Sequence, residues 1–279
     1  MSGKLYLMSD IHGHFLQFLQ MLKKIHFEDS DRMLILGDLV AKGPDSLGLL
    51  YYVTEHKNII TLRGNHEQRL LQYFGIDYSA EISDSIMSTW AFGDGKEIIR
   101  QMNMLSYAER KKILNFIEDM PLCAVMKIKD KKYVLVHGAP GDEINEILLS
   151  AGICGEIKDE NSDIFRKLSK QLWDETNTGN ELRIMTVPEA PEGKRRKTDY
   201  DILINRYASP DVCNLLPTGM TAVVGHTPTF KYGNQYAGDM IVREDKIFLD
   251  CGVAQGYGLG CLQILPENDK ISYHKYFIN

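Results

Sequence analysis

Five short segments place residues that bind cations or move protons next to glycines. They are Asp10 and His12 in "SDIHG", Asp38 in "LGD", Asn65, His66 and Glu67 in "GNHE", His137 in "VHG" and His226 in "GHTP". Carboxylate, imidazole and amide oxygen are the donors suited to Mn²⁺, Fe or Zn²⁺, and the lack of cysteine argues against a soft thiolate site. One ion does not need Asp10, His12, Asp38, Asn65, His137 and His226 from five separate segments, whereas two ions sharing a carboxylate do. Ion pairs of that kind, about 3.5–4 Å apart, recur where a group is displaced in line at phosphorus. Asp38 is the expected bridge, because it ends the middle strand of three. A carboxylate buried there is costly alone and becomes stable when it neutralises cations. Gly13, Gly37, Gly64, Gly138 and Gly225 leave space for tight turns and an approaching substrate.

The elements that must position these residues are legible from their periodicity. "KLYLMSD" (Lys4 to Asp10), "RMLILGD" (Arg32 to Asp38) and "NIITLRG" (Asn58 to Gly64) read as buried strands. Between them, "HFLQFLQMLKKI" carries Phe15, Phe18, Leu19, Leu22 and Ile25 at helical spacing, and "DSLGLLYYVTEHK" and "HEQRLLQYF" also read as helices. This alternation lays down neighbouring parallel strands by right-handed crossovers. In such sheets ligands bind outside the carboxyl ends of the strands, where Asp10, Asp38 and Asn65 fall. The stretch from about Ile76 to Met120 reads as helical with loops. "PLCAVMKI", "KYVLVHG", "MTAVVGH" and "KIFLDCG" then supply further short strands, the last ending on Asp250. A plainer role exists for several candidates: Asp10 and Asp38 precede helices and Asn65 opens one, so each could serve as a helix cap.

The composition, 44% hydrophobic and 25% charged with a net charge of -6, is that of an ordinary globular protein and offers no broad attraction for nucleic acid or anionic membrane. The N-terminus lacks the apolar core of a signal peptide, and no apolar run approaches the roughly 18–20 residues needed to cross a bilayer. A cytoplasmic location without membrane or nucleic-acid partners is expected. The five cysteines are scattered and never spaced C-x-x-C, which points to reduced packing residues. The 279 residues read as a single domain, 1–279, with a polar cap or insertion at about 140–215. The basic run Lys194 to Lys197 within it is flanked by acids and reads as solvated loop. His14, His26, His56 and His274 lie outside every motif and read as surface or packing residues.

Taken in order, D-x-H-G, G-D-x-V-x-x-G, G-N-H-E, V-H-G and G-H-T-P resemble the motifs of the calcineurin-like metallophosphoesterases, and within them the phosphoprotein phosphatase branch and its bacterial members. The likeness runs from Asp10 to about Gly260. It implies an α/β fold, a four-layer sandwich of two mixed sheets with helices on both outer faces. It implies two divalent ions, Mn²⁺ with Fe or Zn²⁺ as alternatives, with Asp10 and His12 on the first, Asp38 bridging, and Asn65, His137 and His226 on the second. Pro228, in place of another histidine, resembles the phosphoprotein phosphatase branch. The likeness assigns His66 to protonating the leaving alkoxide while a metal-bridging hydroxide attacks phosphorus, and Arg63 to clamping phosphoryl oxygens. Lys42 and Arg206, with Arg183 as an alternative, would add positive charge for substrate binding. The implied activity is hydrolysis of phosphate monoesters, Ser/Thr protein phosphatase-like, on a phosphorylated protein or a small phosphoester.

The sequence also departs from that branch. Ala41 and Lys42 stand where the branch usually has an aspartate that orients the histidine, followed by an arginine. The same Ala41, within "GDLVAKGPDSL", resembles the symmetrical diadenosine tetraphosphate hydrolases, bis(5'-nucleosyl)-tetraphosphatases, which form the alternative reading. Trp90 in "TWAFGDG" resembles a tryptophan-containing loop of the bacterial members.

Overall fold

Strand β1 (Leu5–Met8) and strand β2 (Arg32–Ile35) are buried on both sides, so their period of two sorts residues between two cores. Tyr6, Met8, Met33 and Ile35 enter one apolar cluster, while Leu5, Leu7 and Leu34 enter another. The structure, a computed structural model, describes residues 3–76, 82–141, 144, 145, 148, 181–185, 203–212, 216–267 and 270–278. Strand β3 (Ile59–Thr61) pairs parallel to β2, as β2 does to β1, which makes β2 the middle strand of three.

Helices α1 (Phe15–Lys24), α2 (Ser46–Glu55) and α3 (Asn65–Tyr73) follow these strands in turn. They are joined by α4 (Asp84–Phe92), α5 (Lys96–Asn103) and α6 (Tyr107–Glu118) in the stretch expected to be helical. Phe18, Leu49, Leu70, Trp90, Ile98 and Ile113 carry the six helices into the cluster on the outer face of this sheet. Helix starts follow local chemistry: Asp45 accepts the Gly48 amide of α2 at 2.8 Å, and Ser106 forms a reciprocal capping box with Glu109 on α6.

The second sheet is built from β4 (Cys123–Ile128), β5 (Lys131–Val136), β6 (Glu181–Met185), β7 (Met220–Val224), β8 (Ile241–Val242) and β9 (Lys246–Phe248). Its order is β6-β4-β5-β7-β9-β8, with β5, β7 and β9 parallel and the other pairings antiparallel. Strands β10 (Leu259–Glu267) and β11 (Lys270–Ile278) form an antiparallel hairpin that completes the first sheet in the order β11-β10-β1-β2-β3.

Both sheets are therefore mixed, and Leu7, Leu34, Leu36, Met126, Leu135 and Val223 fill the layer between them. The outer face of the second sheet buries Val134, Val136, Val224 and Phe248 with Ile144, Leu148 and Tyr207. This is the expected α/β sandwich of two central mixed sheets. Most of the expected cap at about 140–215 lies outside the described residues; within it, β6 pairs with β4 as an edge strand.

Candidate metal centre

The carboxyl ends of β1, β2 and β3 meet those of β5 and β7 along one rim. Backbone hydrogen bonds lock the segments together: the Asp10 amide donates to the Gly37 carbonyl at 3.1 Å, His12 to Asp38 at 2.8 Å and Gly13 to Leu39 at 2.7 Å. The Gly225 amide reaches the His137 carbonyl at 2.9 Å, tying β7 to β5. Asp10, His12, Asp38 and His226 have φ values of 54°, 50°, 54° and 66°, in the left-handed region that side chains rarely adopt. Strain of this kind concentrates at functional sites, because it aims side chains that regular strands would turn aside. The neighbouring glycines are required sterically. A Cβ on Gly64 would strike the Asp38 amide and carboxylate, and one on Gly225 would strike Ser9 Oγ and Asp10 Oδ2.

Two groups of candidate ligands share Asp38. In His12, Asp38 and His66, and again in Asp38, His137 and His226, one ligand-type atom from each residue lies within 4.8 Å of the others. The two oxygens of Asp38 divide between the groups: Oδ2 is 3.6 Å from His12 Nε2, and Oδ1 is 3.4 Å from His137 Nε2. Asp10 Oδ1 is 3.8 Å from His12 Nε2, and Asn65 Oδ1 is 3.0 Å from His137 Nε2. All six expected metal residues are therefore brought together.

Imidazole orientation follows from hydrogen bonds at the other ring nitrogen. His12 Nδ1 donates to the Val40 carbonyl at 3.2 Å and His137 Nδ1 to the Leu36 carbonyl at 2.7 Å, so both present Nε2 to the centre. His66 is different. Its Nδ1 accepts from Trp90 Nε1 at 2.9 Å, so the neutral ring carries its proton on Nε2 and has no free lone pair there for a metal. Hydrogen bonding thus separates His66 from the ligand set.

The electrostatics suit cations. Burial alone would push Asp38 up, but His137 and His66 hold it well below the usual carboxylate range. Burial and the nearby Asp38 raise Asp10, whose Oδ1 is buried without a hydrogen-bond partner, while its Oδ2 accepts from Ser9 Oγ and the His226 amide. Burial lowers His12 to about 3, with Lys42 adding to the effect, and burial with His137 lowers His226 to about 2. His137 is the exception: Asp38 outweighs burial and raises it to about 10. An orphaned carboxylate oxygen, the Nε2 atoms of His12 and His137, a ring nitrogen of His226 and one amide oxygen, gathered around a shared buried carboxylate, fit divalent ions held by nitrogen and oxygen.

The remaining expected site residues divide. Lys42 Nζ lies 2.8 Å from His12 Nε2, and Arg206 Nε donates to His226 Nε2 at 3.1 Å, so both cations reach the centre. Arg63, expected to clamp phosphoryl oxygens, donates instead from Nη1 to Gln68 Oε1 at 2.9 Å and from Nη2 to the Glu118 carbonyl. The Arg63 amide also reaches the Pro121 carbonyl at 2.8 Å, so this residue fastens the start of α3 to the end of α6. The Arg183 side chain lies outside the described residues.

Two buried acids complete the rim. Glu67 accepts the amides of Asp38, Leu39, Val40 and Gly64 at 2.8–3.0 Å and so holds the β2 loop on α3. Asp250, at the end of β9, accepts the Gly252 amide at 2.9 Å and is raised well above the carboxylate range by burial, with Asp10 adding to it. Sequence reading placed Asp250 at a strand end and gave it no role, although "FLDCG" repeats the strand-acid-glycine pattern of "SDIHG".

Two proteins named symmetrical bis(5'-nucleosyl)-tetraphosphatase match part of the chain. The one from Wigglesworthia glossinidia brevipalpis is 28% identical over 189 residues, 66% of this chain and 62% of that protein. The one from Salmonella paratyphi B is 33% identical over 134 residues, 47% of this chain and 42% of that protein. The chain thus spans less than two thirds of the length of these relatives. Among solved structures, a protein serine/threonine phosphatase from Saccharomyces cerevisiae superposes with a TM-score of 0.49 at 14% identity, covering 99% of this chain and 80% of that one. A metallophosphoesterase from Sphaerobacter thermophilus superposes with a TM-score of 0.43 at 15% identity, covering 99% and 88%. The family model for calcineurin-like phosphoesterases matches residues 3–253, a span that contains every strand end of the rim. The chain belongs to the calcineurin-like phosphoesterase family, a family of phosphoric ester hydrolases.

Proposed function

We propose that the protein hydrolyses phosphate monoesters with the aid of two divalent ions. The observation that supports this most directly is Asp38, whose Oδ2 faces His12 at 3.6 Å and whose Oδ1 faces His137 at 3.4 Å. Asp10 and His12 would hold one ion, Asn65, His137 and His226 the other, and Asp38 both. When bound, such ions supply Lewis acidity and a water acidic enough to attack near neutral pH. The donor set suits Mn²⁺, with Fe and Zn²⁺ as alternatives.

The chain's own residues supply the rest. Lys42 and Arg206, next to His12 and His226, bring positive charge to the place where a phosphoryl group would rest. Lys42 acts there as a point charge and Arg206 as a planar fork. His66, buried beside the centre, offers its Nε2 proton as a fixed hydrogen-bond donor. No helix among the described residues is long and apolar enough to cross a membrane. The substrate in this reading is a phosphorylated protein or a small phosphoester of the cytoplasm.

A second reading, cleavage of a dinucleoside polyphosphate into equal halves, is favoured by Ala41, which leaves no carboxylate at that position, and by the names of the two relatives. The test is one substrate panel. The protein loaded with Mn²⁺, Fe²⁺ or Zn²⁺ is offered an aryl phosphate, a phosphoserine peptide and diadenosine tetraphosphate. Release of inorganic phosphate from the esters supports the first reading, and two equal nucleotide products support the second. No turnover with any metal removes both.

A further inference from the structure

Trp90 Nε1 donates to His66 Nδ1 at 2.9 Å, and both residues are buried. The direction of this bond is not open to choice, because indole N–H is a donor with no acceptor capacity. His66 Nδ1 must present a lone pair, and the ring's single proton therefore sits on Nε2. That nitrogen faces the centre, 3.8 Å from Asp38 Oδ2.

The chain is built to hold the indole there. A Cβ on Gly95 would meet Trp90 Cε2 and Cδ2 at 2.7 and 2.8 Å, so the ring seats on a bare glycine. The Gly93 and Gly95 amides close on the Trp90 carbonyl at 3.2 and 2.8 Å. The Lys42 amide donates to the Asp94 carbonyl at 2.8 Å, which fastens this turn to the loop after β2. Buried Ala41, at φ 72°, is next to Lys42 and supplies no carboxylate to take a proton from the ring. His66 Nδ1 thus faces a donor fixed by packing and backbone bonds.

We propose that Trp90 is a positioning residue that fixes His66 as the Nε2–H tautomer, and that the preferred substrate is one whose leaving oxygen departs without a proton. That class comprises phosphoanhydrides and aryl phosphates, as opposed to alkyl esters such as phosphoserine. The inference rests on the phosphohydrolase reading above. To protonate a leaving oxygen, His66 must lose its Nε2 proton while Nδ1 holds another. A proton on Nδ1 would point directly at the indole N–H. His66 therefore gives a hydrogen bond and keeps its proton.

In the hydrolysis, the oxygen of water forms a new bond to phosphorus as the bond from phosphorus to the leaving oxygen breaks. The electron pair of the broken bond goes to the leaving oxygen, and the water releases a proton to solvent. A phosphate or phenolate group carries that pair stably, whereas a serine alkoxide requires a proton as it departs. General acid assistance is worth about 10²–10⁴-fold, so its loss weighs against alkyl esters by that order.

Two measurements test this. Nitrogen-15 spectra of the metal-free protein, with the His66 signals assigned by their loss in His66→Asn, are expected to show an unprotonated Nδ1 and a protonated Nε2. A protonated Nδ1 overturns the proposal. With metal loaded, kcat/KM is expected to fall steeply with leaving-group basicity across aryl phosphates and to be at least about 10²-fold lower for a phosphoserine peptide. Trp90→Phe should narrow that ratio at least tenfold. A Trp90 that only supports the fold lowers both rates together, and an unchanged ratio, or equal rates in the unaltered protein, overturns the proposal. Should Trp90→Phe fail to fold, the spectra of the unaltered protein still decide. Absence of turnover on every ester and on diadenosine tetraphosphate overturns the phosphohydrolase reading and the substrate class with it, while the spectra independently decide the tautomer.

Discussion

Lys42 Nζ lies 2.8 Å from His12 Nε2, with His12 Nδ1 already committed as donor to the Val40 carbonyl. An ammonium therefore donates to the lone pair that the first ion would take. Hydrogen bonds to charged groups are worth about 1.5–3 kcal/mol, and about 1.4 kcal/mol is tenfold in affinity. Lys42→Met is expected to tighten Mn²⁺ binding at that site by about tenfold or more, read by calorimetric titration of the metal-free protein. Inorganic phosphate should bind the metal-loaded variant more weakly. Unchanged Mn²⁺ affinity would mean that Lys42 leaves His12 at no cost.

Asp38→Asn separates the two roles of this residue. The Asp38 carboxylate accepts the His66 amide at 3.0 Å, and an Asn carbonyl can still do so, so the start of α3 is expected to persist. The charge shared by both groups of ligands is lost. Metal content should fall from two ions per chain to less than one, and the rate by several orders of magnitude, while the metal-free form should lose melting temperature near pH 7 and with it the alkaline slope that the Asp38–His137 pair gives. His66→Asn should lower the rate while leaving metal content intact. Two retained ions in Asp38→Asn would refute the shared-carboxylate arrangement.

The contrast between Asn65 and Arg63 shows what the sequence could convey. Asn65 was legible as a candidate ligand because β3 and its glycine turn are encoded within a few residues, and its side chain does meet His137 at 3.0 Å. Arg63 is two residues away, but where its guanidinium goes depends on Gln68 and the Glu118 carbonyl on α6, a partner 55 residues on, which no local pattern encodes. The parallel strands were legible for the same local reason. The β10–β11 hairpin was not: in "KISYHKYFI", Ile271, Tyr273 and Phe277 pack against the inner core while Tyr276 and Ile278 pack against the outer one, and polar residues interrupt both stripes. Trp90 was visible in its glycine-rich motif, but only the folded contact shows that it meets His66.

Glu67 offers a test of how the strained loop is held. Its two carboxylate oxygens accept four amides, those of Asp38, Leu39, Val40 and Gly64, while Asp38 itself sits at φ 54°. In Glu67→Gln one oxygen becomes an NH₂ group that faces donors. Each buried donor left without a partner costs about 1–3 kcal/mol, so a loss of several kcal/mol and a clear fall in melting temperature are expected. Metal affinity should fall as well, because Asp38 loses its anchor. An unchanged melting curve would show that water or a shifted loop replaces the carboxylate.

His137 gives the centre a pH signature whose sign can be worked out. Asp38 outweighs burial and lifts His137 to about 10, above its unfolded value of about 6.5. The stabilisation from this imidazolium is complete below about pH 6.5 and is lost as pH rises toward 10. Protein kept in chelator should therefore lose melting temperature between about pH 7 and pH 10. Metal ligation requires the neutral ring, so binding releases the proton and Mn²⁺ affinity should rise by up to about tenfold per pH unit over the same range. With Mn²⁺ bound the ring is already deprotonated, and the alkaline slope should disappear. Parallel melts at about pH 7 and pH 9, with and without Mn²⁺, check this: a slope that survives in Mn²⁺ assigns the titration to another group.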